Sequence, residues 1–144
     1  MYIAIINGPN LNLLGKRQPD IYGSETFEDT FNNLRKRFND IELRFCQSNS
    51  EGTLIDKIHE YGYDEECRGI IINPGAYAHY SIAIADAIES VPVPVIEVHI
   101  SNIHAREEFR HKSVTAGACR AIIAGLGREG YALAIDYLTT QISK

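Results

Sequence analysis

Two residues on one short apolar run, Glu97 and His99, are spaced for proton chemistry. On an extended strand their side chains leave the same face, so the carboxylate can orient the imidazole and stabilise its protonated form, as a general acid requires. The same spacing also suits a satisfied buried histidine beside an incidental glutamate, and residue type alone leaves both readings open. Tyr22 is a second candidate. A free phenol titrates near ~10 and keeps its proton at neutrality. A guanidinium beside it, from Arg17 or Arg110, would favour the phenolate and make a base. Without that neighbour Tyr22 is an ordinary loop tyrosine packed on a rim, and Arg17 a solvated surface charge. Asn10, Asn12, Asn73, His79, Ser101 and Arg106 add polar and ionisable groups beyond what turn-making needs.

The elements that must position these residues follow from periodicity. Tyr2 to Ile6 is a short apolar run stopped by Asn7-Gly8-Pro9-Asn10, and Gly69 to Ile72 is another, stopped by Asn73-Pro74-Gly75. Both read as buried strands. Alternating Ile41, Leu43 and Phe45 predict a strand, as do Val93 to Ile100 and Ala121 to Ala124. A long polar loop runs to Gly23. Beyond it, Ser24 is placed to cap a helix with Phe27, Phe31, Leu34 and Phe38 on one face and Glu25, Glu28 and Asp29 near its positive end. Leu54, Ile55 and Ile58 after Ser50, then Ile84, Ala87 and Ile88, then Tyr131, Ile135, Leu138 and Ile142, mark three more helical faces.

Strands alternating with helices predict an α/β fold: one domain over residues 1–144, flavodoxin-like, with a doubly wound parallel five-stranded sheet in the order 2-1-3-4-5. Ligands of such sheets bind beyond the carboxyl ends of the strands, near the switch point between strands 1 and 3. That rule selects the loops after Ile6, Ile72 and Val98, which hold the candidates above.

Other motifs lose their force in context. Gly125-Leu126-Gly127-Arg128-Glu129-Gly130 is a literal G-x-G-x-x-G, but only 14 residues follow it, too few for the second strand and the acidic ribose ligand of a dinucleotide site. It reads as a tight strand-to-helix turn. Gly8 to Gly15-Lys16 is too long for a phosphate loop, and Arg17 stands where a hydroxyl should hold magnesium. His59, His79, His99, His104 and His111 show no metal-ligand spacing. Cys46, Cys67 and Cys119 form no Cys-x-x-Cys pair, so reduced thiols in a cytoplasmic protein are expected. A formal charge of -5 and a pI near 5.5 disfavour nucleic acid and anionic membrane as partners. No apolar run is long enough to span a bilayer. An anionic substrate would need locally gathered arginines.

Three blocks carry a resemblance. They are Ile6-Asn7-Gly8-Pro9-Asn10-Leu11-Asn12-Leu13-Leu14-Gly15 with Arg17 and Ile21-Tyr22-Gly23; Asn73-Pro74-Gly75-Ala76-Tyr77-Ala78-His79 continuing to Asp86; and the stretch from Glu97 through His99 and Arg106 to His111. In that order the chain resembles the type II 3-dehydroquinate dehydratases over nearly its whole length. Gln18, Ala78 and Tyr80 depart mildly from the family pattern, and none replaces a catalytic group. The resemblance implies a cofactor-free hydro-lyase, without metal or Schiff base, converting 3-dehydroquinate to 3-dehydroshikimate through an enolate. It implies Tyr22 as base, activated by Arg17, with Asn10 stabilising the oxyanion and His99, oriented by Glu97, as acid. Asn73 and the amides of Ile100 and Ser101 would hold the substrate carboxylate, and His79 and Arg110 the ring hydroxyls. Asp86 would reach a neighbouring site in a trimer, assembled into a homododecamer. The segment from Arg17 to Gly23 would close as a lid.

Overall fold

The computed structural model describes residues 1–142, with the backbone alone described at Ile21 and Tyr22. Five strands form one sheet: β1 (Tyr2–Asn7), β2 (Glu42–Gln47), β3 (Cys67–Asn73), β4 (Val95–His99) and β5 (Ala121–Ala124). They lie in the order β2-β1-β3-β4-β5, and each pairing is parallel. This is the flavodoxin-like order expected from the sequence. The connections carry a single turn, α1 (Pro19–Tyr22), and the longer helices α2 (Phe27–Arg37), α3 (Glu51–Gly62), α4 (Ile82–Ser90) and α5 (Glu129–Ile142).

Alternation along β1 explains the layers. Ile3 and Ile5 point into a cluster with Phe27 and Leu34 of α2 and Tyr131, Ile135 and Leu138 of α5. Tyr2, Ala4 and Ile6 point the other way, against Leu54 and Ile58 of α3 and Ile84 and Ile88 of α4. With both faces covered, the central strands are apolar on both sides, as parallel strands must be. On β4, Ile96 and Val98 join the first cluster and Val95 the second. Glu97 and His99 share the parity of Val95 and therefore project toward the α3–α4 side.

Three local expectations need correction. The cap of α2 is Thr26, not Ser24: its hydroxyl accepts from the Asp29 amide at 3.2 Å and the Asp29 carboxylate accepts in return from the Thr26 amide at 3.2 Å, a reciprocal capping box. A cap must directly precede the first helical residue, and that residue is Phe27. Strand β4 is shorter than Val93 to Ile100, because Pro92 and Pro94 have no amide hydrogen to give a ladder; the Pro94 carbonyl accepts from Ile70 at 3.0 Å and regular pairing starts at Val95. The first loop is also not featureless. It folds into a 3-10 turn at Leu11–Leu13 and then α1, with Pro19 at the first helical position.

Candidate active site

The three loops named by the topology converge. Gly8, just past β1, donates its amide to the Asn73 carbonyl at 2.7 Å, and a Cβ at Gly8 would lie 2.4 Å from the Pro74 carbonyl oxygen. Only glycine permits this approach, which fastens the first loop to the second. Asn10 follows in a left-handed conformation, φ 69°, a state its short polar side chain tolerates. Its backbone amide donates to Asn49 Oδ1 at 3.0 Å. Leu11 and Leu14 are buried anchors.

On the second loop, Asn73 is 3% exposed at the end of β3. Its Oδ1 accepts from the Gly75 amide at 3.1 Å and its Nδ2 donates to the Tyr131 hydroxyl at 3.0 Å, which donates in turn to Asn7 Oδ1 at 2.8 Å. Burial raises the Tyr131 phenol above its ordinary range, against the opposing pull of its bonds to Asn73 and Asn7; it stays a neutral donor. His79 Nδ1 lies 2.8 Å from the Lys112 carbonyl. A carbonyl only accepts, so Nδ1 carries the hydrogen and Nε2 remains for a ligand.

The third loop carries the Glu97–His99 pair. Glu97 is fully buried and His99 is 5% exposed, with His99 Nε2 2.8 Å from Glu97 Oε2. The shared strand face therefore does bring the pair into contact, and Nδ1 of His99 is the nitrogen left for the cleft. The rings of His79 and His99 stack with centroids 6.3 Å apart. Arg110 Nε donates to Glu107 Oε2 at 2.9 Å, and the Glu107 carboxyl is held below its usual range, first by a hydrogen bond from its own backbone and then by Arg110 and Arg106.

Together these loops line a single cleft that opens to solvent. Of the sequence-derived candidates, Asn10, Arg17, Asn73, His79, His99, Ile100, Ser101, Arg106 and Arg110 line it. Glu97 stands behind His99. Asp86 does not line this cleft and is exposed on α4. Asn12 is also outside, accepting from Gln47 Nε2 at 3.4 Å. Tyr22 closes α1, and its side chain lies outside the described residues. Arg17, Arg106 and Arg110 all line the cleft and, among the described residues, no carboxylate does. In a chain of charge -5, that gathers a positive field where an anion would sit. Among the described residues no three His, Cys, Asp or Glu side chains gather as metal ligands.

The G-x-G-x-x-G segment also has its place. Gly125 and Gly127 have φ of 90° and 61°, and their amides donate to the carbonyls of His99 and Ile100 at 3.2 and 3.0 Å. Across a trans peptide, N–H and C=O point oppositely. The amides of Ile100 and Ser101 are therefore turned away from the glycine turn, toward the cleft these residues line.

Sequence reasoning gave no role to the apolar wall of Leu11, Leu13, Leu14 and Ile103, or to Ser113, Thr115 and the Tyr131 hydroxyl. A buried tyrosine hydroxyl needs a partner, which was the one available signal for Tyr131. Ser113 and Thr115 sit in an irregular segment, 16 and 18 residues beyond the glutamate they contact, and nothing local marks them.

The fold and cleft define a flavodoxin-like α/β protein with a buried Glu97–His99 hydrogen bond beside an arginine-lined cleft at the switch point of the sheet. The sequence model of the family described as dehydroquinase class II matches residues 1–139, and the chain belongs to that family. It is 54% identical to the 3-dehydroquinate dehydratase of Bacillus licheniformis, with 99% of each chain covered. It is 56% identical to that of Caldicellulosiruptor bescii, with 92% of each covered. The crystal structure of type II dehydroquinase from Butyrivibrio crossotus superposes with a TM-score of 0.92 at 51% identity, over 96% of this chain and 97% of the other.

Proposed function

We propose that the chain is a type II 3-dehydroquinate dehydratase in which Tyr22, as tyrosinate, and His99, as imidazolium, act on opposite faces of the substrate ring. The reading is carried by one observation: a buried Glu97–His99 pair in the wall of an arginine-lined cleft, in a chain of this family. Tyr22, with Arg17 beside it, takes a proton from the carbon next to the ketone. The electrons move onto the ketone oxygen, and Asn10 stabilises the enolate through a water, the charge placement that commonly dominates catalysis. As the enolate collapses, the C–O bond breaks and His99 protonates the leaving hydroxyl. Water departs and the conjugated enone remains.

Asn73 and the amides of Ile100 and Ser101 hold the substrate carboxylate, and His79 Nε2 and Arg110 bind ring hydroxyls. The connection from Arg17 to Gly23, with Gly15 and Gly23 at its ends both at positive φ, closes over the ring and joins base to arginine once substrate is bound. Asp86, exposed on α4, serves the cleft of a neighbouring subunit in a trimer of the homododecamer. The enzyme works without metal or organic cofactor. The test is direct: the purified protein mixed with 3-dehydroquinate should generate the ultraviolet absorbance of an enone, and a flat trace from folded protein would reject the assignment.

A further inference from the structure

Glu97 is fully buried, and both of its oxygens meet donors. Oε2 receives His99 Nε2 at 2.8 Å and the Ser113 hydroxyl at 2.7 Å, while Oε1 receives the Thr115 hydroxyl. The Ala116 amide can only donate, and it points at Ser113 Oγ at 3.0 Å; Ser113 therefore accepts there and keeps its own proton for Glu97 Oε2 or for Thr115 Oγ1, 3.2 Å away. Thr115 is as buried as the carboxylate it faces. The two hydroxyls and the ring nitrogen between them reach both carboxylate oxygens.

We propose that Thr115 and Ser113 are positioning residues for the protonation step: by keeping Glu97 anionic and turned to Nε2, they keep on His99 the proton that the leaving hydroxyl must receive. The proposal rests on the reading of His99 as the acid. With Glu97 ionised, His99 carries a hydrogen on each nitrogen. The Nδ1 hydrogen passes to the departing oxygen, which keeps the electron pair of the broken C–O bond, and His99 is left neutral, its remaining hydrogen still bonded to Nε2 and donated to Glu97. Take the two hydroxyls away and the buried carboxylate loses its stabilisation. The shared proton then moves to Glu97, and His99 enters the reaction as a neutral ring, a far weaker acid. The other ionisable groups facing the pair are His79, Cys119, whose thiol is raised by burial and then by the Glu97 charge, and the cleft arginines Arg17, Arg106 and Arg110.

Thr115→Val keeps the shape of the side chain and removes the hydroxyl, and Thr115→Ser restores it. On 3-dehydroquinate, Thr115→Val should lower kcat ~10-fold or more with KM within ~2-fold, and Thr115→Ser should return kcat to within ~2-fold of the parent. Nitrogen NMR of His99 at neutral pH should show an imidazolium in the parent and in Thr115→Ser, and a neutral ring in Thr115→Val. If Thr115→Val does not fold, Ser113→Ala carries the same expectation. A neutral His99 ring in the parent overturns the proposal by itself. So does an unchanged kcat and ring charge in Thr115→Val while His99→Ala is inactive in the same assay, and that result leaves His99 in place as the acid. An active His99→Ala would instead remove the reading beneath it.

Discussion

Which nitrogen of each histidine meets the ligand decides what the cleft can do. The Lys112 carbonyl fixes His79 with its hydrogen on Nδ1, and Glu97 engages His99 at Nε2, so the two stacked rings present different atoms to one substrate. His79 offers Nε2 and His99 offers Nδ1. His99→Ala should lower kcat by ~10²–10⁴-fold, the usual contribution of general acid catalysis, with an unchanged circular dichroism spectrum; a folded variant turning over normally would strip His99 of the acid role. Tyr22→Phe should keep substrate affinity, measured by calorimetry, and lose turnover over the same ~10²–10⁴ range. The two residues were unequally legible. Glu97-x-His99 announces its contact because strand periodicity is local, whereas Tyr22 gains a role only through what stands beside it, and no spacing in the sequence states that neighbour.

Between elements, the site depends on loops fastened to one another. Gly8 is the clearest joint. An alanine there would press its Cβ to 2.4 Å from the Pro74 oxygen, and backbone cannot yield as a flexible side chain does. Gly8→Ala should cost ~1–3 kcal/mol of stability, read by urea denaturation, and should lower kcat/KM because Asn10 and Asn73 move apart. Wild-type kinetics in that variant would show that the joint has no bearing on the cleft. The Gly125 to Gly127 turn illustrates how a motif can mislead: its glycines suggest a dinucleotide loop, yet their amides serve the carbonyls of His99 and Ile100. The Ser24 cap failed for a related reason. Residues 25 and 26 are held by Arg128, whose Nη1 donates to the Thr26 carbonyl at 3.2 Å, and that contact spans 102 residues.

Across the whole molecule, two buried phenols predict how stability responds to alkali. Tyr2 is raised above the ordinary phenol range by burial and then by its bond to Asp64, and Tyr131 by burial. A group raised in the fold contributes stability that is complete below its unfolded value of ~10 and is lost as pH climbs beyond it. The urea midpoint should therefore fall as pH rises past ~10, and Tyr131→Phe should show a smaller fall from a lower starting point; an equal fall would exclude Tyr131 as a source. Assembly gives a second prediction. If Asp86 serves a neighbouring cleft, Asp86→Ala and His99→Ala proteins, each impaired alone, should regain activity when mixed and reassembled, and no recovery would confine Asp86 to its own subunit. Among the described residues no helix is long and apolar enough to cross a membrane. The order of elements, the parallel sheet, the loops that carry the chemistry and the family itself were all readable along the chain, because periodicity and motif blocks are properties of neighbouring residues. The partners of Glu97 at Ser113 and Thr115, the Asn73–Tyr131 bond across 58 residues and the aim of the Ile100 and Ser101 amides were decided only by tertiary structure. Those contacts join segments that strand order and loop packing bring within hydrogen-bond reach, and a bond of that kind depends on tenths of an ångström that no local pattern encodes.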